Sequence, residues 1–408
     1  MRHTRLTARL AALSALLLVA SACQVSDPED TEDVMRIGYL MPETGPLAFL
    51  GPPMISAVEM AVDEINEAGG PLGLEVELVG ADEAGNEAVA SESAGRLLSE
   101  GVAGIVGASA SGMSLAVIDQ ITGAEVVQCS PSNTSPTFTD YDDGGYYFRT
   151  APTDVLQGPV LADVVLEDEH TNVAILARAD DYGRGLANAA AEALEASDAT
   201  VVLNETYDPE TASFDAEATQ AEESGADAVI IVSFDEGKQL IPELIEAGFG
   251  PDQLYGGDGI RSETLNQDID PQDPNALDGF KGTAPDPGAV EGFLDRLNEF
   301  DPSLEESAFA PQAYDCAMLM ALAAQAADST DPSVFVDEIV GLTRGENECT
   351  GFEECAGLLE EGESIDYQFA SGIDEFTDNG EPVSGTYAVW EWVDAALETV
   401  DTRESSLG

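Results

Sequence analysis

Two patterns of apolar positions alternate along most of the chain. Short runs such as MRIGYLM (35–41) and AEVVQC (124–129) have the length and composition of buried strands. Between such runs, apolar residues fall three or four positions apart, as at Ile55, Val58 and Val62, which is the spacing of one helix face. This alternation of strand and helix predicts parallel sheets with helices on both faces.

The same rhythm occurs twice. A second series begins with the strand pattern NVAILARA (172–179) and includes ADAVIIVSF (226–234). The chain is longer than one typical core requires, so we predict two doubly wound α/β lobes in sequence, with RTAPTD (149–154) as the crossing between them. A third, strongly helical stretch near 310–328 is predicted to cover one of the lobes.

The first 23 residues have the pattern of an export signal. A head with three arginines precedes a short apolar run at 10–20, and small residues follow it. The segment ending at Cys23 resembles a bacterial lipobox, which implies cleavage before this cysteine and a diacylglycerol on its sulfur. We therefore expect a signal peptide over 1–22 and a lipid-anchored acidic tether over 23–33. The alternative is an ordinary secretory signal with an incidental cysteine.

Charge narrows the possible partners. The chain carries 80 acidic against 14 basic residues, a formal net charge of −66. Nucleic acid is excluded as a partner, because phosphate binding needs clustered Lys and Arg. Since 44% of the residues are hydrophobic and the acids are interleaved with them, we predict a folded protein with a heavily hydrated surface. Such a surface suits a saline habitat, where counter-ions screen the repulsion.

Four cysteines remain beside Cys23, in an oxidising context. Cys349 and Cys355 are spaced to close a small loop, and Cys129 and Cys316 would then pair by elimination. A zinc site is the competing interpretation. It is disfavoured because the chain has only two histidines and no paired CxxC units.

Several short motifs together resemble one family. They are IGYLMPETGPLAFLG (37–51), GIVGASASG (104–112), SPSNTSPTFT (130–139), FRTAPTD (148–154), DDYGRGLA (180–187), GADAVIIVSF (225–234) and YGGDGI (255–260). In this order and spacing, the chain from about 34 to 393 resembles the type I periplasmic binding proteins, specifically the branched-chain amino acid receptors of ABC importers.

The resemblance implies a fold of two α/β lobes joined by a three-crossing hinge. Lobe 1 would comprise 34–153 and 285–362, lobe 2 would comprise 154–284 and 363–393, and 394–408 would form a tail. The family binds its ligand in the cleft between the lobes. The lobes then close by a hinge motion, and the closed form docks on a membrane permease.

Ser111 is the main candidate for binding a ligand carboxylate. It follows a strand and opens a helix, where free backbone N–H groups and a hydroxyl suit an anion. By resemblance, Ser111 takes the α-carboxylate of the ligand, aided by Thr134 and by the backbone of Ser132 and Asn133. The alternative role for Ser111 is a simple helix cap.

Asp258 is the candidate for binding an ammonium group. It lies between glycines at the end of a strand, where a ligand can approach closely. By resemblance, an acidic residue at this point binds the amino group of the ligand. Here it is Asp, one methylene shorter than the Glu of the best-known members. The alternative is one more surface carboxylate among 80 acids.

Four apolar or aromatic residues are expected to enclose the rest of the ligand. Tyr182 precedes a helix of lobe 2, and Phe234 ends a strand where relatives often carry tyrosine. Phe49 and Leu50 would form the wall of lobe 1. An apolar wall with polar groups reserved for a zwitterion suits an aliphatic amino acid. The alternatives are a helix-start aromatic for Tyr182 and a core residue for Phe234.

The predicted function is therefore that of an exported binding protein without a cofactor or metal, a monomer anchored by lipid at the outer face of the cytoplasmic membrane. It would capture an aliphatic amino acid and deliver it to an ABC permease. Receptors of this fold for short amides, urea or aromatic acids remain alternatives, as does a ligand sensor for a membrane kinase. An enzyme is disfavoured because the chain lacks GxGxxG, GxSxG, HExxH and P-loop motifs. A repressor would need a basic DNA-binding head.

Overall fold

Two large sheets organise the protein in the computed structural model, which describes residues 34–408. We call the part built on the first sheet lobe 1 and the part built on the second sheet lobe 2. The predicted signal peptide, Cys23 and the tether lie outside the described residues.

Lobe 1 contains a five-stranded parallel sheet in the order β2-β1-β3-β4-β5. Its strands are β1 (Val34–Met41), β2 (Glu75–Asp82), β3 (Gly104–Gly107), β4 (Val127–Ser130) and β5 (Tyr147–Arg149). The connecting helices are α1 (Gly51–Glu67), α2 (Glu87–Ser99) and α3 (Ser111–Thr122). Each parallel pair is therefore linked by a helix or a long loop, as parallel strands require.

Lobe 2 contains a seven-stranded mixed sheet. Its strands are β6 (Asn172–Arg178), β7 (Thr200–Tyr207), β8 (Ala228–Val232), β9 (Leu254–Gly256), β10 (Lys281–Pro285), β13 (Ser384–Val393) and β14 (Ala396–Ser406). The order is β14-β13-β10-β9-β8-β6-β7, and β13 runs antiparallel to both of its neighbours. Its helices are α4 (Asp154–Glu167), α5 (Asp181–Ala196), α6 (Asp215–Ser224), α7 (Gly237–Ala247) and α8 (Leu265–Ile269).

A later group of elements returns to lobe 1. It comprises the helices α9 (Phe293–Phe300), α10 (Ala310–Ala326), α11 (Pro332–Phe335) and α12 (Gly351–Glu360), and the short parallel strands β11 (Asn347–Cys349) and β12 (Ile365–Tyr367). Helix α10 is buried on nearly every face, because it packs against α1 on one side and β3 and β4 on the other. An all-round apolar helix is stable only in such an interior position. Helix α10 is therefore the helical stretch that the sequence predicts to cover one of the lobes, and the lobe it covers is lobe 1.

The chain crosses between the lobes three times. The first crossing joins β5 to α4 and the second joins β10 to α9, close to the predicted positions. The sequence predicts the third crossing near 363, but β12 still pairs with β11 after that point, and the backbone N–H groups of Ala370 and Ser371 donate to Asp315 on α10. The chain joins the lobe 2 sheet only at Ser384.

The segment expected to be a tail is part of lobe 2. Residues 396–406 form β14, which pairs with β13 along its whole length. The sequence gives little sign of this strand because its side chains are mostly exposed and charged. An outer strand can be polar on both faces when only its backbone is paired.

Candidate ligand site between the lobes

A small cavity lies between the two lobes, and both lobes contribute to its wall. The cavity is narrow: its free volume is about 10 Å³, roughly the space that one water molecule needs. The lining residues are Leu47, Leu50, Ser109, Ala110, Ser111, Ser132 and Phe309 from lobe 1 and Tyr182, Phe234, Asp258 and Gly259 from lobe 2. The cavity continues past Leu47, Ala110 and Phe234 into a wider groove between the lobes.

The lobes are in close contact beside this cavity. A side-chain carbon added at Gly185 on α5 would come within 2.8 Å of Pro136 Cδ in lobe 1 and 2.7 Å of Asp154 Oδ2 at the first crossing. Only a glycine at this point lets α5 approach the lobe 1 loop so closely. The two lobes are therefore in direct contact next to the first crossing.

Ser111 faces the cavity from the first position of α3. The cap residue before it is Ala110, so the serine does not serve as the helix cap. The first turn of a helix carries N–H groups without intrahelical partners and a partial positive charge. With its hydroxyl group, this turn presents hydrogen-bond donors at one end of the cavity.

The loop after β4 brings polar groups to the same end. The Ser132 hydroxyl lies 2.9 Å from the Ser109 hydroxyl and also donates to the Ser109 carbonyl at 2.9 Å. Asn133 is fully buried and turned inward, since its amide donates to the Ser109 carbonyl at 2.6 Å and accepts from the Tyr147 hydroxyl at 2.8 Å. Its side chain therefore shapes the loop, while Ser132 lines the cavity.

Arg149 holds this loop from behind. Its guanidinium donates to the carbonyls of Asn133, at 3.1 Å, and Ser135, at 2.7 Å, and forms a buried ion pair with Glu381. The loop is also tied to α10, because Cys129 at its base is bonded to Cys316. Cys349 and Cys355 form the second disulfide. The cavity loop is thus fixed by a covalent bond and by a buried ion pair.

Asp258 faces the cavity from lobe 2 and is 5% exposed. It begins a short 3-10 helix after β9. Its Oδ1 accepts from Gln157 Nε2 at 3.0 Å and from the Tyr182 hydroxyl at 3.2 Å. Burial raises the pKa of Asp258 to about 6, and both donors oppose this rise. No basic side chain of residues 34–408 forms an ion pair with Asp258, and such a buried carboxylate is well suited to bind a cation.

Asp154 is a second buried acid at this end, and the sequence analysis did not select it. It begins α4, and its backbone N–H donates to the Thr134 carbonyl at 2.7 Å. Neither of its carboxylate oxygens makes a hydrogen bond within residues 34–408, although the Thr134 hydroxyl lies beside them. Burial first, and then the charge of Asp258, raise the pKa of Asp154 well above its usual value. Asp154 and Asp258 are therefore close enough that the negative charge of one makes ionisation of the other less favourable.

Aromatic rings form the lobe 2 wall. Tyr182 and Phe234 stack with their ring centroids 5.1 Å apart, and the guanidinium carbon of Arg178 lies 3.6 Å from the centroid of Phe234 on the ring face. Arg178 is held in turn by Glu236. A side-chain carbon at Gly259 would lie 2.7 Å from the Phe234 ring, so this glycine makes room for it.

The apolar wall of lobe 1 differs in detail from the expectation. Leu50 lines the cavity as predicted, but Leu47 takes the place expected for Phe49, which instead packs at the edge of the main core. Phe309 also lines the cavity, from the residue before α10. It belongs to a distant part of the sequence, and no motif there indicates its role.

Two further findings bear on the class of protein. Across residues 34–408, no cluster of three or more His, Cys, Asp or Glu side chains is arranged to hold a metal ion. Over the same range, no helix is long and apolar enough to cross a bilayer. Two α/β lobes, three crossings and a cavity between the lobes define the class of bilobed solute-binding proteins.

Comparison with known proteins agrees with this class. The family model described as periplasmic binding protein matches residues 34–351. The Leu/Ile/Val-binding protein homolog 3 of Brucella melitensis biotype 1 is 27% identical over 393 residues, which cover 94% of this chain and 98% of the relative. The chain belongs to the periplasmic binding protein family. The prediction that it is a receptor and not an enzyme is thereby confirmed.

Solved structures give the same fold. The leucine-binding protein LivK of Thermotoga maritima matches with a TM-score of 0.76 at 22% identity, over 90% of this chain and 98% of that one. LivJ of Streptococcus pneumoniae, in complex with isoleucine, matches with a TM-score of 0.74 at 22% identity, over 92% and 100%. These matches confirm the predicted type I fold.

Proposed function

We propose that this protein captures an amino acid with an aliphatic side chain, most specifically a branched-chain amino acid, in the cavity between its lobes. The observation that carries the proposal is the arrangement of opposite chemistries across that cavity. The start of α3 at Ser111 offers hydrogen-bond donors to an anion, and the buried acid Asp258 faces the same space from the other lobe. A zwitterion satisfies both groups at once.

The roles of individual residues follow from this arrangement. Ser111 and Ser132 would bind the α-carboxylate, with Asn133 and Thr134 holding the loop behind it. Asp258 would bind the α-ammonium, and Asp154 would supply a second negative charge nearby. Tyr182 orients Asp258 through its hydroxyl hydrogen bond. Within residues 34–408 neither carboxyl group has an ion-pair partner, and the ligand ammonium would then supply one.

The apolar part of the wall supports an aliphatic side chain. Leu47, Leu50, Phe234 and Phe309 surround the space left by the polar groups. The relative from Brucella is named for leucine, isoleucine and valine, and the Streptococcus structure contains isoleucine. Both names support the same ligand class for this chain.

We further propose that the protein delivers its ligand to an ABC permease while anchored through lipid on Cys23. The family membership supports the importer, and the basic head, the apolar run and the small residues before Cys23 support the anchor. The protein would act as a monomer on the outer face of the cytoplasmic membrane.

The ligand is tested with the mature protein in high salt, after any bound ligand has been removed by partial unfolding and refolding. Leucine, isoleucine and valine should each raise the melting temperature in proportion to the logarithm of ligand concentration above the dissociation constant. Alanine and aspartate serve as comparisons for side-chain size and charge. A response only to short amides, urea or aromatic acids would overturn the proposed ligand class.

The importer role needs a separate test in the producing cell. Deleting the protein should abolish uptake of labelled leucine at low external concentration, and replacing Cys23 with serine should release the protein from the membrane fraction. Normal uptake combined with loss of a leucine-dependent transcriptional response would instead identify a sensor for a membrane kinase.

A further inference from the structure

Glu83 is a buried acid behind the anion-binding end of the cavity. It directly follows β2 and is fully buried. Its Oε2 accepts the backbone N–H of Ser109 at 2.7 Å, and its Oε1 accepts the backbone N–H of Ala110 at 3.4 Å. One carboxyl group therefore holds two successive amides of the loop between β3 and α3.

That loop is part of the cavity wall. Ser109 and Ala110 line the cavity, and Ser111 follows them directly. From the opposite side, Ser132 and Asn133 donate to the Ser109 carbonyl. Glu83 thus fixes one side of the loop and the segment after β4 fixes the other, so the position of Ser111 depends on both.

No cation compensates the charge of Glu83 within residues 34–408. Its pKa is raised to about 8, first by burial and further by the charge of Asp82, while the two amide donors oppose the rise. Asp82 is the titratable group that faces it, and that carboxylate is itself engaged by the Thr44 hydroxyl and the Ala84 amide. The proton on Glu83 is therefore exchangeable at moderately alkaline pH.

We propose that Glu83 is a positioning residue that couples capture of the ligand carboxylate to uptake of a proton. This inference rests on the proposed function, because it requires a carboxylate at Ser111. An ionised Glu83 and a ligand carboxylate would be two anions held to the same short loop in a region of low dielectric. Protonating Glu83 removes that repulsion and leaves its carbonyl oxygen able to accept an amide N–H.

The sign of the pH effect follows from linkage. A second anion disfavours the charged form of Glu83, so its pKa is higher in the complex than in the free protein. Below about pH 7 Glu83 is protonated in both states and affinity does not depend on it. As pH rises through the pKa of the free protein, the dissociation constant increases, approaching tenfold per pH unit until the complex also loses the proton.

Proton uptake can be measured by isothermal titration calorimetry with leucine at pH 8.5, in phosphate and in Tris buffer, whose ionisation enthalpies differ. Asp258, with a pKa of about 6, is already ionised at this pH, and any proton that Asp154 releases on binding is common to wild type and variant, so the informative quantity is the difference between them. Wild type should take up more protons per leucine than Glu83→Gln, by up to one. The ratio of dissociation constants at pH 9 and pH 7 should also be several-fold larger in wild type.

Asp315→Asn is the matched control. Asp315 is likewise fully buried and accepts two successive backbone N–H groups, those of Ala370 and Ser371, but it lies away from the cavity. Its variant should keep the proton count and pH profile of wild type. Glu83→Asp, which retains a titratable carboxyl group, should restore most of the proton uptake that Glu83→Gln loses, and it is the deciding variant if Glu83→Gln does not fold.

Equal proton counts and equal pH profiles in wild type and Glu83→Gln would overturn the role of Glu83 but not the proposed function. Loss of proton uptake in both Glu83→Gln and Glu83→Asp would also overturn it, and so would loss of proton uptake in Asp315→Asn. Absence of any amino acid binding by wild type would overturn the proposed function as well.

Discussion

Asp258 and Asp154 are two buried acids whose ionisation a cationic ligand would favour. Both carboxyl groups are buried, both have raised pKa values, and the charge of Asp258 makes ionisation of Asp154 harder. An ammonium group bound between them would lower the pKa values of both carboxyl groups, because an opposite charge favours the ionised form. On the proposed function, the same two residues would destabilise the empty protein and stabilise the complex.

Replacing Asp258 with asparagine should weaken binding of leucine by at least about 30-fold, since removing one partner of a buried charge pair costs about 2–5 kcal/mol. Isothermal titration calorimetry at pH 7 measures the change. The control is Asp252→Asn, an exposed acid six residues earlier in the chain, which should bind as wild type does. Retained affinity in Asp258→Asn, with a normal melting curve, would contradict the role of Asp258.

Replacing Asp154 with asparagine should have opposite effects on stability and binding. The unliganded variant should gain about 1–3 kcal/mol in free energy of unfolding at pH 8, because it removes a buried carboxyl group whose oxygens make no hydrogen bond within residues 34–408 and whose ionisation is opposed by the charge of Asp258. Its affinity for leucine should fall. Urea denaturation and calorimetry measure the two effects. Loss of stability in the absence of ligand would show that Asp154 is satisfied by groups other than the ligand.

Among individual residues, the sequence could identify those whose position in the site depends on the strand or helix next to them. Ser111 could be selected because a strand ending and a helix beginning are visible in the sequence, and Asp258 because glycines flank it. Phe309 could not, because its contact with the cavity depends on how α10 packs, far from the motifs. Asp154 could not, because the motif FRTAPTD (148–154), which it ends, indicates a crossing between the lobes and does not show that this acid is buried beside Asp258.

At the scale of elements, the loop after β4 is the best-anchored part of the site. The disulfide from Cys129 to Cys316 joins it to α10, and Arg149 holds its carbonyls. Such anchoring reduces the entropy lost when a ligand is bound, because the polar groups are already in place.

The two disulfides should differ in their contribution to stability. In the chain-entropy model, the Cys129–Cys316 bond, with a sequence separation of 187, contributes about 5 kcal/mol, and the Cys349–Cys355 bond, with a separation of 6, contributes about 2 kcal/mol. Paired cysteine-to-alanine variants, compared by guanidinium denaturation, measure this difference. A larger loss for the Cys349–Cys355 variant would mean that local strain or packing outweighs chain entropy.

Strands and helices whose apolar side chains recur at a regular spacing could be predicted from the sequence. Strands that are held only by backbone hydrogen bonds to a neighbouring strand could not. The first two crossings follow from the strand and helix patterns around them. The third crossing is not visible in the sequence because β11 and β12 are only three residues long, and β14 resembles a tail because its side chains carry no periodic signal. Backbone hydrogen bonds, which hold these strands, leave little trace in the sequence.

At the scale of the whole molecule, acidity acts in two ways. Surface acids repel one another, which destabilises the folded protein at low salt. Buried acids resist ionisation, and they include Glu83, with a pKa raised to about 8, and Asp258 and Asp315, with pKa values raised to about 6. Salt screens the first effect and leaves the second largely intact.

The free energy of unfolding of the unliganded protein should therefore fall by several kcal/mol between pH 5 and pH 9, even in 1 M salt. A carboxyl group with a raised pKa in the folded state holds its proton there while the unfolded chain releases it, so stability is lost as pH rises from about 4 through the folded pKa. Urea denaturation at several pH values tests this. Stability that increases over this range would show that the buried acids are compensated.

The two ends of the described chain belong to different lobes. Strand β1, which begins at Val34, is in the lobe 1 sheet, and β14, which ends at Ser406, is the outermost strand of the lobe 2 sheet. A fluorophore attached just before β1 and another attached after β14 would therefore move with different lobes. Energy transfer between them would report opening and closing directly, so the architecture itself supplies the attachment points of a genetically encoded sensor for the ligand.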